Sequence, residues 1–257
     1  MTPAPTLFDL SGKTAFITGA GRGIGATLAR GLASAGARVV VNDRHADRIA
    51  ETVSAIEADG NQAVDACFDC TDEAAVLEAM PAVEEAQGGI DILINNAGIH
   101  RRAPLEDMDL ATWRTVIDHN LTTAFVISRS VVRGMIARKA GKIINICSLQ
   151  SEIGRPTTAN YAAAKGGLKM LTRAMTVEWA QHNIQINGIA PGYLHTALTD
   201  KLVRDPDFNA MICRRTPAGR WGKTGELVGA AVFLAGEAST FVNGQIITVD
   251  GGLLCSL

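Results

Sequence analysis

Short, continuously apolar, β-branched runs recur along the chain, and longer segments of helical period separate them. The runs Thr14–Thr18, Arg38–Val41, Ala63–Phe68, Ile90–Ile94, Lys142–Ile146, Ile184–Ile189 and Gln245–Val249 predict seven strands. They lack the apolar/polar alternation of a half-exposed strand, so each is expected to be covered on both faces, as in a parallel sheet. Helical periodicity predicts helices near 24–35, 46–58, 72–87, 109–138, 160–181 and 224–236. Strand–helix alternation of this kind builds right-handed βαβ units and an α/β, doubly wound, mostly parallel seven-stranded sheet with helices on both faces. No repeat or Pro/Gly/Ser linker divides the chain, so residues 1–257 are read as one domain.

The stretch 191–222 breaks the rhythm. It carries Pro191, Pro206 and Pro217 and one helix-like piece around Asp207–Cys213. A long excursion late in a compact domain is expected to be a substrate loop or lid.

Composition narrows the function. Lys and Arg number 24 against 26 Asp and Glu, a formal charge of −2 that lacks the basic surplus of a nucleic-acid binder. No uncharged apolar run approaches the length of a membrane span, and the N-terminal MTPAPTLFDLSGK lacks the basic and apolar regions of a secretory signal. The five cysteines, 67, 70, 147, 213 and 255, are an odd number without framework spacing. A reduced, cytoplasmic setting is expected. Cys67 and Cys70 form a C-x-x-C without a second ligand pair, read as two packed thiols and no metal site.

The first strand runs into Thr18-Gly19-Ala20-Gly21-Arg22-Gly23-Ile24-Gly25, and a helix follows. Such a turn brings backbone close to a pyrophosphate, which sits on the free N–H groups of the helix start. This is the signature of a Rossmann-type dinucleotide site, in the spacing G-x-x-x-G-x-G rather than G-x-G-x-x-G. Asp43 ends the second strand, where a carboxylate accepts from the adenosine ribose and repels a 2′-phosphate, favouring NAD. Arg44 follows it and Arg22 lies in the turn; either can pair with that phosphate, which leaves NADP open.

Tyr161 and Lys165 stand at i and i+4, on one face of a predicted helix. Ser148 lies just past the carboxyl end of the fifth strand, the edge at which open α/β sheets bind ligands. With Asp69, Asn95–Gly98, Asn120, Pro191-Gly192 and Thr196, these pieces resemble the short-chain dehydrogenase/reductase family over the whole length. The resemblance implies an NAD(P)-dependent enzyme acting on a secondary alcohol or ketone, with Asn120, Ser148, Tyr161 and Lys165 as the catalytic group. Tyr161 would be the general acid/base, Lys165 would lower its pKa and hold the nicotinamide ribose, and Ser148 would bond the reacting oxygen. Asn120 would order a proton-relaying water. It further implies cofactor contacts from Gly19, Gly21, Arg22, Gly23, Ile24, Gly25, Asp43, Arg44, Asp69, Asn95, Ala97, Gly98, Tyr161, Lys165, Pro191, Gly192 and Thr196. Cys147 stands where many relatives carry a second serine.

Arg101 and Arg102 follow the fourth strand and can clamp a carboxylate, as can Arg155 beyond the serine. The segments Asn95–Arg102, Asn145–Ser151, Asn187–Tyr193 and Arg215–Gly222 resemble the gluconate 5-dehydrogenase (5-keto-D-gluconate 5-reductase) branch of the family. A sugar acid is therefore the expected substrate, with Arg101, Arg102, Ser148, Gln150, Ser151, Tyr161 and His195 around it. The alternatives are a 3-oxoacyl carrier-protein reductase, another sugar or polyol dehydrogenase, and a nucleotide-binding sensor without turnover. Relatives are commonly homotetramers; Leu227–Ala235 and the tail Leu253–Leu257 are candidates for a subunit contact or for ordinary core and a frayed end.

Overall fold

The computed structural model describes residues 4–196 and 199–256. Seven strands, all parallel, form one sheet: β1 (Thr14–Ile17), β2 (Arg38–Asp43), β3 (Ala63–Cys67), β4 (Ile92–Asn95), β5 (Gly141–Ile146), β6 (Ile184–Pro191) and β9 (Ile246–Val249). A separate two-residue ribbon joins β7 (Leu194–His195) to β8 (Gly222–Lys223). The large sheet runs in the order β3-β2-β1-β4-β5-β6-β9. After β3 the chain crosses back to the other side of β1, so the carboxyl ends of β1 and β4 flank the crevice where this architecture binds ligands.

The expected continuous burial holds in the centre: β1, β4 and β6 are buried at every position. The expected strand at Ile90–Ile94 begins two residues later, and Ile90 is core without being strand. One face packs on α1 (Gly23–Ser34), α2 (Ala46–Ala58) and α9 (Val228–Ala235) through Leu28, Leu32, Ile49, Ile56, Ala231 and Leu234. The other packs on α3 (Glu73–Gln87), α5 (Thr123–Arg138) and α6 (Ala159–Trp179) through Val76, Met80, Ile127, Val131 and Met175.

The helix expected over 109–138 is three pieces: α4 (Leu110–Ile117), a π turn at Asp118–Thr122, and α5. The widened turn has local causes. Asn120 donates to the Val116 carbonyl, and the Thr123 hydroxyl to that of Asp118. The excursion 191–222 holds more than the single expected helix: β7, α7 (Asp200–Val203), α8 (Pro206–Arg215) and β8. The α9 segment buries Ala231, Leu234 and Ala235 in the core, and the tail is a 3₁₀ turn at Leu253–Cys255. The tail is tied down by Ser256 donating to the Arg215 carbonyl; Leu257 lies outside the described residues.

Candidate active site

The glycine turn is built by close approach. Gly19 has a φ of 61°, and a Cβ on Gly25 would stand 2.3 Å from the Gly19 carbonyl oxygen. Any larger residue at either position would open the turn. Asn96 fastens the turn to the end of β4 by donating to the carbonyls of Thr18 and Gly19, at 2.9 and 3.0 Å. The Thr18 hydroxyl accepts from the backbone N–H groups of Asn96 and Ala97, both at 3.0 Å. Arg22 gives α1 no side-chain cap, so the first-turn N–H groups stay open to an anion. Asp43 is the last residue of β2, and its Oδ2 stands 2.8 Å from where a Cβ on Gly21 would be. Bare backbone, open N–H groups and a carboxylate on the adenosine side fit a dinucleotide.

Arg44 and Asp69, both expected at the adenosine end, face each other with Nη1 3.7 Å from Oδ2. Burial raises Asp69, but hydrogen bonds from Thr71 and the Arg44 charge outweigh it and hold the carboxyl below its ordinary range. Arg22 is exposed in the turn. Asn95 is turned away from the crevice: its amide donates to Ser128 and to Asn145 inside the sheet. Gly192 follows β6 and bonds to the Val249 carbonyl, and Thr196 is held by the Thr199 hydroxyl.

Tyr161 and Lys165 share one face of α6, beside the carboxyl end of β5. The Lys165 ammonium donates to the Ile146 carbonyl at 2.7 Å and stands 5.7 Å from the centre of the Tyr161 ring. Lys165 is 4% exposed, and burial pushes its pKa down to about 8. Burial also raises the Tyr161 phenol, and a hydrogen bond with the Ser148 side chain works against that rise. The Ser148 hydroxyl accepts from the Gln150 N–H at 3.1 Å, which fixes its direction. Ser151, expected among the substrate residues, instead donates to the Lys165 carbonyl at 2.9 Å and ties the serine turn to α6. Asn120 is 2% exposed; its amide donates to the carbonyls of Ile99 and Val116, both at 2.9 Å. Its Oδ1 is buried with no partner among the described residues, and lies 2.4 Å from where a Cβ on Gly98 would be. Close contact of Leu121 with Gly167 presses this π turn against α6.

The expected substrate residues separate. Arg102 is within electrostatic reach of Arg155 and Tyr193: partial burial and the Arg155 charge hold it below the usual guanidinium value, while Tyr193 raises it. Arg155 donates to the Tyr193 hydroxyl at 3.3 Å and stacks 4.7 Å over Phe208. Tyr193 meets Trp221 edge-on at 5.5 Å, so Arg155 fastens the serine turn to the 191–222 excursion. Neither Arg102 nor Arg155 has a carboxylate partner among the described residues. Arg101 and Arg102 are both exposed, and the contact Arg101 makes at the site is through its carbonyl, which accepts from Asn160. Gln150 accepts from the Thr158 hydroxyl at 2.5 Å. His195 stands apart, paired with Asp200 at 3.4 Å, in a groove of about 490 Å³ against α1 that Gly23, Thr27 and Thr196 also line. His100, in none of the expected sets, stacks on Tyr161 with ring centres 4.5 Å apart.

The family model for short chain dehydrogenases matches residues 13–207. The chain belongs to that family. It is 53% identical over 253 residues to a gluconate 5-dehydrogenase of Gluconobacter oxydans, covering 98% of this chain and 99% of that one. It is 51% identical over 251 residues to a 5-keto-D-gluconate 5-reductase of Escherichia coli, again covering 98% and 99%. Among solved structures it matches a gluconate 5-dehydrogenase from Burkholderia cenocepacia, in complex with NADP and tartrate. The TM-score is 0.96 at 51% identity, covering 99% of this chain and 100% of that one.

In this short chain dehydrogenase, three side chains that sequence reasoning missed hold the site together. Asn96 ties the glycine turn to β4, Asn160 ties the start of α6 to the loop after β4, and Tyr193 anchors Arg155. Asn96 had a signal, since it lies within the motif segment Asn95–Gly98. Tyr193 likewise ends the segment Asn187–Tyr193, but its pairing with Arg155 is distant in sequence, and Asn160 had no signal.

Proposed function

We propose that this short chain dehydrogenase interconverts D-gluconate and 5-keto-D-gluconate, using NAD or NADP. The observation that carries the reading is the facing pair Arg102 and Arg155 beside the Ser148–Tyr161–Lys165 cluster. Two guanidiniums, Arg102 exposed and Arg155 half-buried, with no carboxylate partner among the described residues, are suited to an anionic substrate. The names of relatives at 51–53% identity support it, as does the tartrate held with NADP in the Burkholderia relative.

The turn 18–25 cradles the pyrophosphate on the N-terminus of α1, Asp43 takes the adenosine ribose, and Asp69 lies at the adenine. Asp43 favours NAD, whereas Arg22 and Arg44 are suited to a 2′-phosphate. Ala97, Gly98, Pro191, Gly192 and Thr196 form the nicotinamide end. The bound nicotinamide supplies hydride in reduction and accepts it in oxidation. Tyr161 gives its proton to the substrate oxygen or takes it back, and Ser148 bonds that oxygen. Its ordinary pKa near 10 must fall by about three units for use at neutral pH, roughly 4 kcal/mol of differential interaction. The Lys165 cation, 5.7 Å from the centre of the phenol ring, supplies part of this. Asn120, anchored by its amide, presents Oδ1 to the water that passes protons between Lys165 and solvent. The 191–222 excursion walls the substrate within the single domain, and Arg102 and Arg155 receive its carboxylate.

The same reading assigns a homotetramer, supported by apolar side chains exposed on the outer faces of α5 and α6: Phe125, Met170 and Val177. A cytoplasmic setting suits five cysteines that are all free thiols. No helix among the described residues is long and apolar enough to cross a membrane.

Initial rates of NADH and NADPH oxidation with 5-keto-D-gluconate, neutral keto-sugars and 3-oxoacyl thioesters test the proposal. Turnover confined to the keto acid is expected, and the cofactor ratio reads Asp43 against the arginines. Turnover confined to thioesters or neutral sugars would replace the substrate while keeping the chemistry; no turnover with any carbonyl would leave only a nucleotide-binding protein.

A further inference from the structure

We propose that His100 is a specificity-determining residue: its imidazole hydrogen-bonds a hydroxyl on the carbon next to the reacting one, and so selects substrates hydroxylated beside the carbonyl. The inference rests on the reading of Tyr161 as the acid/base and not on which sugar acid is turned over.

The loop carrying His100 is held on both sides. The Ile99 carbonyl accepts from Asn120 at 2.9 Å, and the Arg101 carbonyl accepts from Asn160 at 3.1 Å. Asn160 is fully buried and also accepts from the Tyr161 N–H at 2.8 Å. His100 is thus positioned by the same two elements, the π turn and the start of α6, that position Asn120 and Tyr161. Its ring lies nearly parallel to the phenol, at 26° and 4.5 Å. A substrate oxygen that reaches the Tyr161 hydroxyl therefore brings its neighbouring carbons alongside the imidazole.

The groups facing this ring are cations or neutral. Arg102 and Arg155 approach it from its own loop and the serine turn, Tyr161 from α6, and burial is the largest influence. Together burial and the two guanidiniums push the imidazole down to about 4, so it is uncharged at neutral pH. A neutral imidazole offers one N–H donor and one acceptor nitrogen. Neither is engaged by a protein group among the described residues. Stacking alone would be served as well by phenylalanine, which carries no polar edge to desolvate. The polar edge makes sense against a polar ligand. An uncharged partner also leaves the carboxylate to Arg102 and Arg155, dividing recognition between the two ends of the substrate.

The test compares a hydroxy ketone that the enzyme reduces with its analogue lacking the hydroxyl beside the carbonyl, in wild type, His100→Phe and His100→Gln. Wild type is expected to prefer the hydroxylated substrate in kcat/KM by about 10- to 100-fold, the range of one hydrogen bond lost in a partly dry site. His100→Phe, which keeps an aromatic ring on Tyr161, should collapse that preference to within about threefold, and His100→Gln should restore part of it. His100→Leu serves if the phenylalanine variant does not fold, with cofactor affinity by fluorescence as the folding control. A preference unchanged in both apolar variants, with both substrates slowed alike, would reduce His100 to a support for Tyr161 and overturn the proposal. So would a wild type indifferent to the hydroxyl. If 5-keto-D-gluconate is not a substrate, the function reading fails, and the same comparison on whichever ketone is reduced still decides this one.

Discussion

The two ends of β5 each hold a buried lysine, and the contrast between them separates chemistry from architecture. At the carboxyl end Lys165 donates to the Ile146 carbonyl, and at the amino end Lys142 donates to the Ser239 hydroxyl at 3.3 Å. They are 4% and 8% exposed, and burial pushes both down to about 8. What they face differs. Lys142 feels the Glu237 carboxylate, which raises it again, in a small polar recess shared with Asp91, Asn183 and Gln185. Among the described residues Lys165 has no carboxylate partner; the Cys147 thiol raises it slightly against burial, and the Tyr161 ring lies beside it. A counter-ion at Lys165 would absorb the field that the phenol needs. Burial makes a lysine costly in either place, and only the absence of a partner leaves its charge available for a reaction.

Removing each group should break the symmetry sharply. Tyr161→Phe is expected to lower kcat by about 10³- to 10⁴-fold while cofactor affinity, read by nucleotide fluorescence, stays within about twofold. Lys165→Met should lose turnover on a similar scale and weaken the cofactor as well, whereas Lys142→Met should leave both intact. Turnover retained in Tyr161→Phe would remove the phenol from the mechanism; turnover lost in Lys142→Met would mean that the amino edge of the sheet is coupled to the site.

The active end was largely legible because its signals are local. A glycine turn between strand and helix, and a tyrosine one helical turn from a lysine, are spacings that geometry converts directly into position. The rest required contacts distant in sequence. Hydrophobic period runs unbroken through 109–138, so the π turn that seats Asn120 is invisible; side-chain bonds to carbonyls make it. The ribbon of β7 and β8 has two residues on each side, too few for any period, and exists through pairing across the excursion. Arg101 and Arg102 are adjacent in an irregular loop, and spacing cannot say which comes within reach of the Arg155 charge. Lys142 drew no notice, since a lysine opening an apolar strand reads as a solvated end.

The arginines give the next test, at the rim of the active end. Arg102→Ala and Arg155→Ala are each expected to raise KM for an acidic substrate by about 10- to 100-fold, the worth of one charge-assisted bond, with little change for a neutral one. Arg101→Ala should stay within about threefold on both. Equal effects on acidic and neutral substrates would mean that Arg155 acts only by fastening Tyr193 and Phe208. An effect confined to Arg101 would invert the assignment.

The smallest effect belongs to the amino end, and its sign follows from linkage. The folded pKa of Lys142, about 8, lies below its ordinary 10.5, so the fold favours the uncharged amine. Stability from this group is fully present above 10.5 and is lost as pH falls through 8, because there the unfolded chain holds the proton more readily. Between pH 7.5 and 9 that amounts to about 1 kcal/mol of rising stability. Two thiols oppose it higher up: burial raises Cys70 to about 12 and Cys147 to about 11, so above 9 the unfolded state ionises first and stability falls. Wild type and Lys142→Met share those thiols and Lys165, and the difference between the two proteins isolates Lys142. The variant, with an apolar chain of similar reach, should gain more unfolding free energy, read by urea titration, at pH 7.5 than at pH 9, by about 1 kcal/mol. A difference that does not change with pH would mean that Glu237 keeps Lys142 charged throughout. The two ends of β5 would then differ in protonation as well as in use, and Lys165 alone would carry the cost of an unpaired buried amine.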